Sequence, residues 1–300
     1  MFTSGPSAIA EQAFQVGVKA LSRCFPGSTH RLQNYYGSRI GLTGPIFLFS
    51  LDCDTHEDAR ILTKLVPRLR GIGVTPILAV PGEILLANDT IFLELYRSGI
   101  EFINHGYKLH TQFDPDSGKH LSCFFYDQIG LPRVEQDIRE GHEAIEKLFG
   151  VAPKGFRAPH FGTFQSRSNI NSLYSLLISM GYRFSTSTVP IRGVLKGSVH
   201  QVTPSFWEFP VSGCFDRPTT ILDSWSFREA PNRRFEESDY IDQMTKLGNV
   251  YMKENIPSIL NYYADPSHIH DWSELFTSLE KLKSIAGSSY IDIVNRLESR

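Results

Sequence analysis

From residue 46 onward, short apolar runs alternate with amphipathic helical segments, and this alternation limits the possible folds more than any other feature of the chain. Residues 46–51 are almost wholly apolar, as suits a strand buried on both faces. Asp54 and Thr55 then open a helix. Glu57 and Asp58 sit in its first turn, and Leu62, Leu65, Val66 and Leu69 form one stripe. Gly71 and Gly73 end it. The pattern repeats with strands at 75–80, 101–103, 155–158, 183–187, 206–211 and 258–263. Helices are expected at 91–97, 133–149, 169–180 and 272–285. Such alternation predicts a parallel sheet, open or closed into a barrel. Residues 108–130 read as a long loop, and loops of that length in compact domains tend to be functional.

The first 44 residues stand apart as an N-terminal extension. Ile9, Ala13, Phe14, Val16 and Leu21 predict one helix with an apolar face, and the turn-rich stretch 37–45 marks a boundary before a domain spanning 45–300. Three hundred residues with 41% hydrophobic and 21% charged side chains describe an ordinary globular protein, which argues against disordered and membrane-embedded classes. The net charge of −2 gives no reason to invoke nucleic acid. Cys24, Cys53, Cys123 and Cys214 are widely spaced, like reduced thiols of a cytoplasmic protein. No cleaved signal and no transmembrane segment is expected.

Four strand ends carry titratable residues. Leu51-Asp52-Cys53-Asp54 follows the first strand, and two carboxylates there can divide metal binding from proton transfer, although Asp54-Thr55 is also good helix-capping chemistry. Asn104-His105-Gly106-Tyr107-Lys108-Leu109-His110 offers two imidazoles in one loop, which suits a transition-metal ion, though histidines of this spacing are often structural. Gly155-Phe156-Arg157-Ala158-Pro159-His160 places an arginine where it can hold a carboxylate in a forked ion pair, catalytic or structural. Tyr262-Tyr263-Ala264-Asp265-Pro266-Ser267-His268-Ile269-His270 ends the last strand with candidate general acids, in a stretch that equally reads as a turn. Delivery of such groups from separate strand ends is how a barrel assembles one site from distant sequence.

Taken together, these motifs resemble the polysaccharide deacetylase family, carbohydrate esterase family four, over residues 46–266. The stretch Val151-Ala152-Pro153-Lys154-Gly155-Phe156-Arg157-Ala158-Pro159 matches best, and Glu208-Phe209-Pro210 resembles the family's strand before its closing segment. The resemblance implies a distorted (β/α) barrel of about seven parallel strands and a metal-dependent hydrolase that removes N- or O-acetyl groups from a sugar or polysaccharide. It implies Asp52 as general base, oriented by Arg157, and Asp54, His105 and His110 as ligands of one divalent ion. Zinc is the first choice, with cobalt, nickel or iron as alternatives. It implies Pro159 and His160 in the substrate groove, with the His160 N–H at the oxyanion.

The chain departs from the family in three places. Cys53 separates the two aspartates, although strand alternation would still point both the same way. The histidines stand five apart rather than four. Asp265 occupies the place of the family's last histidine, so His268 is expected to be the general acid, with Asp265 orienting it. Two other readings are an amidohydrolase acting on a small non-sugar amide, and a carbohydrate-binding relative without activity. The expected partner is an acetylated sugar or polysaccharide precursor, with a homo-oligomer left open.

Overall fold

The computed structural model describes residues 6–228 and 236–300. Its strands are β1 (Ile46–Asp52), β2 (Ile77–Val80), β3 (Phe102–Asn104), β4 (Thr111–Asp114), β5 (Lys119–Ser122), β6 (Gly155–Phe156), β7 (Phe184–Ser185), β8 (His200–Thr203), β9 (Phe206–Glu208) and β10 (Ile259–Ala264). The main sheet runs β10-β1-β2-β3-β6-β7-β9-β8. Its first seven strands are parallel, and β8 returns antiparallel to β9. Past β9 the chain swings back beside β10. Ser212 N donates to Asn261 O at 2.8 Å, and Asn261 N donates to Ser212 Oγ at 2.9 Å. The parallel sheet thereby curls into the expected distorted barrel.

The pleat divides β1 between two environments. Phe47, Phe49, Leu51 and Cys53 face outward into the layer of helices, packed with Leu62, Leu65, Val66 and Leu69 of the helix His56–Gly71. The alternate residues face the barrel axis. Leu48 joins Ile77, Ala79, Ile103, Phe184 and Phe209 in an apolar floor, and Ser50 and Asp52 lie above it. The helix Tyr290–Glu298 sends Tyr290 into that floor, its N-terminus held by the Glu101 carboxylate, which accepts from Tyr290 N at 2.6 Å and Ile291 N at 3.1 Å.

Local readings differ from the structure in several places. Residues 108–130 hold the hairpin β4–β5 and a short helix, Tyr126–Ile129, rather than an unstructured loop. The helix Glu237–Glu254 and the helix Tyr290–Glu298 were not anticipated. The last expected helix is shorter, Ser273–Glu280, followed by a 3₁₀ turn. The extension forms two helices, Pro6–Cys24 and Pro26–Arg39, because Pro26 lacks the N–H that a continuous helix would need and begins a new one at its first position. All four cysteines are free. Among the described residues, no helix is long and apolar enough to cross a membrane.

Candidate active site

The C-terminal ends of β1, β3, β6 and β10 bring their polar residues to one mouth of the barrel. Asp52 is the last residue of β1, and Asp54 lies two residues on, with Cys53 N still bonded to Ala79 O of β2 at 2.9 Å. Continued alternation buries Cys53 outward and turns both carboxylates inward. The 104–110 loop starts at the end of β3. His105 Nε2 lies 3.6 Å from Asp54 Oδ1 and 4.0 Å from Asp52 Oδ2, while His110 Nε2 lies 2.9 Å from Asp54 Oδ1. The ligand atoms of Asp54, His105 and His110 all fall within 4.8 Å of one another.

That loop is held from outside the site. Asp137, on the helix Leu131–Phe149, accepts from Lys108 N at 2.8 Å and from Tyr126 Oη at 2.6 Å. Glu83 accepts from Leu109 N at 2.8 Å. Gly106 has φ +80° and lies against Asp137, and Gly141 of the same helix lies against the Gly106 carbonyl. The chain therefore doubles back tightly enough to aim His105 and His110, five residues apart, at one point.

The donor set fits a divalent cation. Asp54 Oδ1 and His110 Nε2 are buried without a hydrogen-bond partner, although they lie only 2.9 Å apart. Buried polar atoms are rarely left so, and these face a common point. The Nδ1 of His105 meets the Arg157 carbonyl at 2.8 Å, which fixes the ring with Nε2 toward Asp54, as outer-shell bonds do for metal-binding histidines. The charges agree. Asp52 feels both Asp54 and Asp265, and Asp58 and Asp223 also feel Asp265, so several carboxylates share a region in which Arg157 is the cation paired to Asp52.

Burial holds the His105 imidazole down to about 3, with His110 beside it adding to the effect. For His110, burial acts downward but the Asp54 carboxylate outweighs it, so its pKa rises. For Asp54, burial acts upward but the two imidazoles outweigh it, so its pKa falls. Asp52 is pushed up to about 7 by burial, opposed by Arg157 and aided by Asp54 and Asp265.

Arg157 is fully buried. Its Nη1 donates to Asp52 Oδ1, and its Nη2 donates to Ser50 Oγ at 2.8 Å and Tyr290 Oη at 3.2 Å. Tyr290 in turn donates to Asn261 Oδ1 at 2.5 Å, and Asn261 Nδ2 donates to Thr186 Oγ1 at 3.0 Å. This polar layer across the barrel was not foreseen. Ser50 was within reach of sequence reasoning, since it alternates with Asp52 on β1, whereas Tyr290 and Asn261 carried no local signal.

At the end of β10, His268 Nδ1 lies 2.8 Å from Asp265 Oδ2, and Ser224 Oγ lies 3.2 Å from the same oxygen. The β1 and β10 ends are also tied to each other. Asp58 accepts from Thr55 N at 3.0 Å and Thr55 Oγ1 at 2.7 Å with one oxygen, and from Ser267 N at 2.8 Å with the other. His160 has φ +56°, its Nε2 meets the Cys123 carbonyl at 2.7 Å, and its ring lies 5.3 Å from that of His110. Phe124 and Phe164 nearby also have positive φ. Such strain persists only where surrounding structure imposes it, and it clusters at functional sites. Pro159 is buried between Arg157 and His160. His270 is exposed, its Nδ1 meets the local Ser267 carbonyl at 3.1 Å, and its own carbonyl accepts from Arg68 Nη1 at 2.8 Å.

No protein-family model and no curated protein matches the sequence. Solved structures do match its fold. A protein from Mycobacterium smegmatis described as a polysaccharide deacetylase superimposes with a TM-score of 0.59 at 18% identity, over 86% of this chain and 91% of that one. An allantoinase superimposes with a TM-score of 0.61 at 8% identity, over 85% and 90%. A carbohydrate esterase family 4 pseudoenzyme from Bacillus anthracis gives 0.52 at 12%, over 84% and 69%. The chain has the polysaccharide deacetylase fold, shared by a protein described as a deacetylase, an allantoinase and a pseudoenzyme.

Proposed function

We propose that this chain is a metal-dependent hydrolase that removes an acetyl group from an acetylated sugar. The observation that carries the reading is the convergence of Asp54, His105 and His110 beside an Asp52 carboxylate clamped by buried Arg157. A zinc, cobalt, nickel or iron ion held by that triad would supply Lewis-acid polarisation of the acyl carbonyl. Asp52 would take the proton of the attacking water. Burial holds its pKa up near 7, which suits a base at neutral pH, and a cation alongside would bring it down and keep the carboxylate ionised. Arg157 keeps the carboxylate oxygens in register for that transfer. His268, with Nδ1 committed to Asp265, is the group that would protonate the leaving nitrogen or oxygen. The backbone at His160 borders the groove, and its N–H is the candidate oxyanion donor.

Metal analysis of the purified protein, paired with acetate release across a panel of N- and O-acetylated glycans, tests this reading. The expected result is one divalent ion per chain and turnover that Asp52→Asn abolishes while the ion is retained. An ion-free protein indifferent to chelators, yet able to hydrolyse a small cyclic or linear amide, would replace this reading with the amidohydrolase one. That alternative draws support from the fold shared with an allantoinase. Sugar binding without turnover would leave a non-catalytic relative.

A further inference from the structure

The two N-terminal helices carry a surface that the catalytic site does not use. Of the eleven exposed large apolar side chains among the described residues, six lie between residues 14 and 35: Phe14, Val16, Leu21, Phe25, Leu32 and Tyr35. Phe14, Val18 and Leu21 recur at spacings of four and three, which puts them on one stripe of the first helix, and Phe25 follows at the break between the two helices. Phe14, Leu21 and Phe25 are each about 60% exposed, at 59%, 62% and 61%. Isolated exposed apolar residues are ordinary, but a continuous stripe is not.

The second helix is fixed to the barrel by one face, while Phe14 and Leu21 of the first helix stay in solvent. Gln33 Nε2 donates to Gly193 O at 2.7 Å, Tyr36 Oη donates to Leu195 O at 2.8 Å, and Gly37 packs directly on the Pro257 carbonyl. His30 is buried against the rings of Phe215 and Tyr251. The opposite face, with Arg31, Leu32, Tyr35 and Arg39, is left in solvent.

Charge identifies the occupant. Residues 1–44 contain four basic side chains, Lys19, Arg23, Arg31 and Arg39, all exposed, and a single acidic residue, Glu11, in a chain whose net charge is −2. Lys19 and Arg23 lie on the side of the first helix opposite Phe14 and Leu21, as in a basic interfacial helix, and pairing the apolar stripe with a second copy would leave them without an anionic partner. An anionic lipid surface neutralises them instead, and it accepts Phe and Leu side chains at the headgroup boundary. We propose that the N-terminal helix pair docks this protein on an anionic membrane surface. The Pro257 anchor immediately precedes β10, at the end of that strand opposite the catalytic mouth.

The test is cosedimentation of the full chain with phosphatidylcholine vesicles, with and without about one third phosphatidylglycerol. Binding is expected to the anionic vesicles alone and to weaken as salt is raised. Each Lys or Arg near such a surface contributes roughly five-fold, so Lys19→Gln with Arg23→Gln should weaken binding by about 25-fold. Leu21→Ser with Phe25→Ser should abolish it, and an unchanged melting temperature would show that these variants still fold. Equal binding to neutral vesicles, or no binding to either, overturns the proposal. So does a dimer in light scattering that the Ser variant dissolves while vesicles bind neither form.

Discussion

Tyr290→Phe removes one oxygen atom and leaves the ring in place, which makes it a clean probe of the layer beneath the site. The side chain is fully buried, and its ring packs on Phe184 and Phe209 at centroid distances of 5.2 and 5.1 Å. Its hydroxyl joins Asn261 Oδ1 to Arg157 Nη2. Among the described residues, Asn261 Oδ1 has no other donor, so the variant leaves a buried amide oxygen unsatisfied. Two lost hydrogen bonds at about 1 kcal/mol each, with an added penalty for the stranded oxygen, give a destabilisation of roughly 2–4 kcal/mol. For a chain of this size that is a fall in Tm of roughly 4–8 °C. Arg157 keeps Ser50 and Asp52, so metal content should stay unchanged while kcat falls, because the guanidinium then holds Asp52 with one fewer restraint. Thermal melts, metal analysis and acetate release on the same preparation read all three quantities. A Tm within about 1 °C of the parent would refute the argument that this hydroxyl supports the arginine.

Removing the metal should lower Tm: an ion at a hundred times its Kd stabilises by about 2.7 kcal/mol. Chelator should shift the parent and leave His105→Ala unmoved; a shift of equal size in both would place the ion elsewhere. Burial, with Asp265 nearby, pushes the Asp58 carboxyl up to about 6, above its ordinary 3.8. The folded state thus holds this proton more tightly, and the contribution is full below about pH 4 and is lost as pH rises through 6, a change of about 3 kcal/mol. Asp58→Asn should flatten that part of the stability–pH curve, and an unaltered curve would contradict the assignment. Gly141→Ala should be strongly destabilising, because a Cβ there would stand 2.4 Å from Asn104 Oδ1 and 2.5 Å from the Gly106 carbonyl. Circular dichroism melts check it, and a neutral Gly141→Ala would mean the histidine loop can shift.

The residues with the strongest local chemistry were legible without coordinates. Apolar runs at strand length, a Thr55–Asp58 capping box and glycines after helices specify the alternation of strand and helix, since each acts within a few residues. Alternation along β1 predicts that Asp52 and Asp54 share a face with Cys53 opposed, and the placement of Cys53 in the outer core follows it. The hairpin β4–β5 was not legible, because its residues alternate weakly and both of its faces stay partly exposed. Only the tertiary structure decided how groups far apart in sequence meet. Tyr290 reaches Arg157 across 133 positions, and Asp58 reaches Ser267 across 209. A sequence pattern reports which face of an element is apolar, but not which distant polar group a buried side chain will find. Barrel closure settles that by leaving Arg157 without solvent, so that Asp52, Ser50 and Tyr290 must meet its two Nη atoms.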